Sequence, residues 1–173
     1  MRRTLGICVF LVALVVPAAA SALQLKDGDG TLVVTNGTAP RGTPVVTLVI
    51  KGAAIGHLDA GRVVIQDLVP NDPNSPEVTG FSWKRDSQDL TETTYGGVGQ
   101  NFRFRAVGGA YKITIYGQGV DLVASGTGNV VLAGSPDAGG TDGKYSLNGQ
   151  DFRSLPDTPT KQLQIGVSNG STG

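Results

Sequence analysis

Glycine and proline fall so often along this chain that a helix has almost nowhere to form. Beyond residue 22, the longest stretch free of both runs only from Phe81 to Tyr95. In a helix interior glycine costs about 1 kcal/mol and proline about 3 kcal/mol relative to alanine. Within that stretch Phe81, Trp83, Leu90 and Tyr95 do not recur at spacings of three, four and seven, so no apolar stripe would form on a helix. It reads as a short strand followed by a polar loop.

The segments between glycines show period two instead. Val46, Leu48 and Ile50 share one face, and so do Tyr111, Ile113 and Ile115 opposite Lys112 and Thr114. Phe102-Arg103-Phe104-Arg105, Phe81-Ser82-Trp83-Lys84 and Gln162-Leu163-Gln164-Ile165 alternate throughout. Further short strands are expected at Thr31–Thr35, Ile55–Leu58, Arg62–Gln66, Val120–Ala124, Val130–Ala133 and Lys144–Leu147. Such alternation belongs to antiparallel sheets with one wet and one buried face. The expected fold is an all-β antiparallel sandwich of roughly nine to eleven short strands, with a β-barrel or β-roll as the alternative. Loops are expected at 69–80, 86–94 and 136–143. One internal similarity stands out. Ile50-Lys51-Gly52, Ile55 and Gly61–Ile65 parallel Ile115-Tyr116-Gly117, Val120 and Gly128–Leu132, about 65 residues later, with two extra residues in the second copy. A pseudo-symmetric sandwich would account for it.

Residues 1–22 read as a secretory signal peptide: Arg2 and Arg3, an apolar Leu5–Val16, a break at Pro17 and the small-x-small cleavage pattern Ala20-Ser21-Ala22. The apolar run is shorter than the roughly 20 residues that cross a bilayer, so no membrane span is expected after cleavage. The organisation is then a leader, a single all-β domain over 23–167 and a flexible tail over 168–173. Cys8, the only cysteine, lies in the leader, so the domain carries neither a disulfide nor a thiolate nucleophile and must be held by packing. Without Arg2 and Arg3 the chain has 12 basic and 14 acidic residues. That near-neutral balance lacks the basic footprint of nucleic-acid binding.

Candidate chemistry is sparse. His57, the only histidine, is accompanied by no G-x-S-x-G turn. Glu77 and Glu92 fall in polar loops, and most aspartates flank Gly, Pro or Asn as turn formers do. A small hydrolase using loop carboxylates is therefore only one alternative, and no catalytic residue is assigned. Asp27 and Asp29, in Asp27-Gly28-Asp29-Gly30, resemble a fragment of a calcium loop, but the twelfth position from Asp27 is Thr38 rather than the Glu of an EF-hand. They are the candidate calcium ligands, but turn chemistry is the better explanation of them, and no other cofactor is indicated. Trp83, Tyr95, Arg103, Arg105 and Tyr116 are the candidate ligand-binding residues, with aromatic rings for sugar faces and guanidinium groups for hydroxyls or carboxylates. Alternation with charged residues assigns most mid-chain aromatics to the core. Tyr95 and Tyr116 fall outside the Phe/Trp stripes and are the better candidates for exposure.

The run from Tyr111 to Leu122, with Gly126-Thr127-Gly128-Asn129-Val130-Val131-Leu132-Ala133-Gly134, resembles small exported all-β proteins of high-GC Gram-positive bacteria. That resemblance implies a bacterial, extracytoplasmic setting and carries no catalytic residue. The expectation is a non-catalytic secreted or envelope-associated domain acting through its surface or sheet edges on cell-wall polysaccharide or another envelope protein. A carbohydrate-binding module is the alternative reading.

Overall fold

Among the described residues, period two becomes nine antiparallel strands, three of them much longer than the segments between glycines. The computed structural model describes residues 30–88, 91–135 and 143–166, apart from the Gln100 side chain; among these residues there is no helix. The leader, Asp27, Asp29 and the tail from 168 lie outside the described residues. The strands are β1 (Thr31–Gly37), β2 (Val46–Asp67), β3 (Glu77–Thr79), β4 (Trp83–Asp86), β5 (Glu92–Gln118), β6 (Val120–Leu132), β7 (Lys144–Leu147), β8 (Arg153–Ser154) and β9 (Leu163–Ile165). They pair as one continuous sheet in the order β3-β5-β2-β6-β1-β7-β8, with β4 added to β5 and β9 to β6, and the sheet does not close into a barrel.

Segments expected as separate strands are joined because glycine bends the chain without ending it. Val45–Ile50, Ile55–Leu58 and Arg62–Gln66 fall almost entirely within β2, Phe102–Arg105 and Tyr111–Tyr116 within β5, and Val120–Ala124 and most of Val130–Ala133 within β6. At the bends Gly52 has φ 149°, Gly61 142°, Gly117 150° and Gly126 145°, backbone angles open to glycine and closed to most L-residues. Gly52 pairs with Gly126, and Gly61 with Gly117. Two bends thus cross backbone to backbone. Two short strands arise where loops were expected: β3, and the start of β5, which returns on β4 as a hairpin.

The bends fold the sheet into a sandwich. One layer runs β9, 126–132, 46–52, 109–118, 60–67, 92–98 and β4; the other runs β8, β7, β1, 120–125, 53–58, 102–107 and β3. Val46, Leu48, Ile50, Ile113 and Val130 from the first layer and Leu32, Ala54, Phe102, Phe104 and Leu122 from the second belong to one buried cluster. Asn148, at φ 51°, clips the layers together at one end. Its Oδ1 accepts from the amides of Gly30 and Gly166, and its Nδ2 donates to the Gln164 carbonyl.

The pairing has an internal twofold pattern. A shift of 65 positions carries Val46 to Tyr111 and Asp67 to Leu132, and the pairs Val46–Leu132 and Tyr111–Asp67 are both present in the ladders. The same shift turns Gly52–Gly126 into Gly117–Gly61, while 46–50 against 111–115 maps onto itself. The similarity in the sequence therefore corresponds to an exchangeable register, and a constant spacing replaces the two-residue insertion: Gly61 matches Gly126, not Gly128.

Tyr111 carries a phenol into this core. Its ring is fully buried, and its hydroxyl donates to the Asn74 carbonyl at 3.1 Å. Burial first, then the negative charges of Asp67 and Asp72, raise its pKa above the usual value of 10.0. A folded-state pKa above the unfolded one contributes stability that is present below about pH 10 and lost as pH rises through the folded value. Tyr111→Phe is accordingly expected to cost about 1 kcal/mol at neutral pH for the lost hydrogen bond. It should also flatten the fall in stability above pH 10, and parallel alkaline limbs for the two proteins in urea titrations would contradict the assignment.

Candidate functional site

On the outer face of the first layer, the register lines up one row of side chains across four neighbouring segments. Trp83 of β4 pairs with Gly96, Gly96 with Arg62, and Arg62 with Tyr116. Arg62 lies over the Tyr116 ring, its guanidinium carbon 4.0 Å from the ring centroid, within cation–π range. Gly96 exists at this place because of Trp83: a methyl group there would run into the indole. The indole consequently lies against the sheet over a bare stretch of backbone, and Trp83 remains 47% exposed.

Bonds at both ends of β4 tie the strand that carries this ring to β5. Ser82 donates its amide to the Gly96 carbonyl at 2.8 Å, and Thr93 Oγ1 donates to the Asp86 carboxylate at 2.8 Å. Lys84 reaches the same carboxylate at 3.2 Å. The Thr93 bond, and after it Lys84, keep Asp86 below the usual carboxylate range.

Beside this row opens a cleft of about 650 Å³, within the range of ligand-binding clefts, about 300–1,000 Å³. Trp83, Arg62, Tyr116 and Gln118 line it from the sheet, and the 38–43 loop lines it from across. That loop is a tight turn: Thr43 donates its amide to the Pro40 carbonyl at 2.9 Å, and Gly42 takes φ 90°. A glycine at the third position of a turn with positive φ is the type II arrangement, and it leaves Arg41 exposed at the corner. Trp83 also walls a second, smaller depression of about 380 Å³ with Gly61, Ser82, Gly97 and Val98.

No protein-family model, curated protein or solved structure matches the chain. The functional reading therefore rests on the chemistry of the cleft itself.

Of the residues singled out in the sequence, the fold brings together Trp83 and Tyr116. Tyr95 does not join them: it pairs with buried Val63 and packs against the core, with Phe81 edge-on at 5.2 Å and the Lys84 ammonium 5.9 Å from its ring centroid. Its expected exposure is thus only partial. Conversely, the alternation of Phe81 to Lys84 pointed Phe81 and Trp83 inward, yet both are exposed; pairing with Gly96, in register with Arg62, puts Trp83 on the outer face. Arg103 and Arg105 are exposed on the outer face of the second layer, opposite His57 and Ile55. There His57 is 3.7 Å from Asp59 and 3.8 Å from Asp121. Among the described residues no three His, Cys, Asp or Glu side chains gather as a metal-binding group, and Asp27 and Asp29 are outside them. Arg62 and Arg41 were not singled out in the sequence. The only available signal for Arg62 was its position on the polar side of the alternating Arg62–Gln66 run.

Proposed function

We propose that the protein is a non-catalytic, exported carbohydrate-binding domain acting outside the cytoplasm, with the Trp83 cleft as its binding site and cell-wall polysaccharide as its natural setting. The observation that carries this reading is the exposed indole laid over Gly96 at the wall of a cleft with a mixed polar and apolar lining. An aromatic face whose orientation is set by the scaffold offers the apolar side of a pyranose a surface at small entropic cost, while Arg62, Gln118 and the threonines of the 38–43 loop supply donors and acceptors for hydroxyls. Tyr116 serves the site by holding Arg62, since its ring is covered by that guanidinium.

The test is retention of the processed secreted chain on a glycan array and on purified cell walls, compared with Trp83→Ala. A base stacked on an aromatic side chain is worth about 1–3 kcal/mol, and by that analogy a loss of about 5- to 150-fold is expected with circular dichroism unchanged. Gly96→Ala should weaken binding in the same direction, because its methyl group pushes the indole off the sheet without removing it. The absence of retention on any glycan, or equal retention by the Trp83→Ala protein, would refute the reading; so would turnover of a wall polymer.

A further inference from the structure

We infer that the cleft selects an acidic glycan, one whose sugar carries a carboxylate, over its neutral counterpart. This rests on the carbohydrate reading above and specifies its ligand. Two arginines are among the lining residues, Arg62 from the sheet and Arg41 from the 38–43 turn, and among the described lining residues there is no aspartate or glutamate. Among the described residues the ion pairs are made by His57 and Lys84, and neither arginine has a carboxylate within that distance. Two cations at one mouth with no internal counter-charge favour an anion.

Arg62 is also prepared for one kind of anion. With its guanidinium carbon held over the Tyr116 ring, Arg62 still has N–H donors to offer, and the planar guanidinium fork matches the two oxygens of a carboxylate. The stacking removes part of the rotamer freedom a long side chain would otherwise lose on binding. A sugar ring on Trp83 and its carboxylate on Arg62 would occupy neighbouring positions of a single row of the sheet, separated by Gly96.

The scaffold does not itself require this pair. At the positions related by the 65-residue exchange, Arg62 corresponds to Thr127 and Tyr116 to Lys51, and these two residues are paired in the β2–β6 ladder. There the same framework is built with neither ring nor guanidinium. The Arg62–Tyr116 stack is thus a local addition to one half of a pseudo-symmetric fold, on the half that carries Trp83.

The experiment measures binding of the processed chain to an oligogalacturonate and to the same oligosaccharide with its carboxylates methyl-esterified, by calorimetry at low and high salt. The acid is expected to bind about tenfold or more tightly than the ester, with the advantage shrinking as salt rises. Arg62→Gln should bring the acid down to the level of the ester. Arg62→Lys, which keeps the charge and loses the fork, should recover less than half of that difference in binding free energy. Equal binding of acid and ester by the native chain, or an Arg62→Gln protein that still prefers the acid, would overturn the inference and leave the carbohydrate reading standing. Loss of all retention across the glycan array would instead remove that reading as well. The acid–ester comparison uses the unmutated protein, so it decides the question even if an arginine variant fails to fold.

Discussion

Replacing Gly52 by alanine is expected to destabilise the protein by about 3–5 kcal/mol, a large share of the roughly 5–15 kcal/mol that holds a domain together. Two costs combine. At φ 149° the residue occupies a region that L side chains rarely enter, worth about 1–3 kcal/mol of backbone strain. The added methyl group would also meet the Ser125 carbonyl and the Gly126 Cα, backbone on a paired strand that cannot rotate aside, and overpacking of that kind costs about 1–3 kcal/mol more. Gly42 is the control: it too has a positive φ, 90°, but nothing lies within 4 Å of its Cβ position, so Gly42→Ala should cost only the strain. Urea unfolding of the three proteins checks this. A Gly52→Ala midpoint equal to that of Gly42→Ala would mean that β2 and β6 do not cross as closely as described.

Phe102→Ala should be comparably damaging, at about 3–5 kcal/mol, the usual range for emptying a buried aromatic site. Phe102 is fully buried in the 102–107 part of β5, paired with the equally buried Leu58. Its neighbour Phe104 lies over Gly56, where a methyl group would strike the ring. The site cannot collapse easily, because the strands around it are pinned on both sides by ladders. Phe152, 54% exposed, provides the contrast, and its replacement by alanine should change stability by no more than about 0.5 kcal/mol. Similar urea midpoints for Phe102→Ala and Phe152→Ala would show that the inward face of β5 has been assigned wrongly.

The inward face was legible before any coordinates. Phe102 and Phe104 alternate with Arg103 and Arg105, and Val46, Leu48, Ile50, Ile113 and Ile115 alternate with polar or smaller residues; all the apolar members named here are buried. The candidate site was legible only in part. Trp83 and Tyr116 do share a row, but Tyr95, on the opposite parity of the same strand as Gly96, turns toward the core. Arg103 and Arg105 were grouped with Trp83 because they are close in sequence. The bend between 92–98 and 102–107 carries them into the other layer. Arg62 escaped notice because an isolated arginine in a strand has no distinguishing pattern, and its meaning comes from the tyrosine 54 positions later that pairs with it.

What local sequence determined here is therefore the strand class and, outside the Phe81–Lys84 segment, the inside–outside parity of the alternating runs, since both depend on neighbours one or two positions away. Glycine spacing also marked where the chain turns. Whether each glycine ends a strand or bends it was decided only by the partner backbone: Gly52 and Gly61 keep their ladders because Gly126 and Gly117 come close enough to continue them. The cleft belongs to the same class of fact. A row of side chains across a sheet is set by register between segments far apart in the chain, and register is a property of the assembled ladders rather than of any one strand.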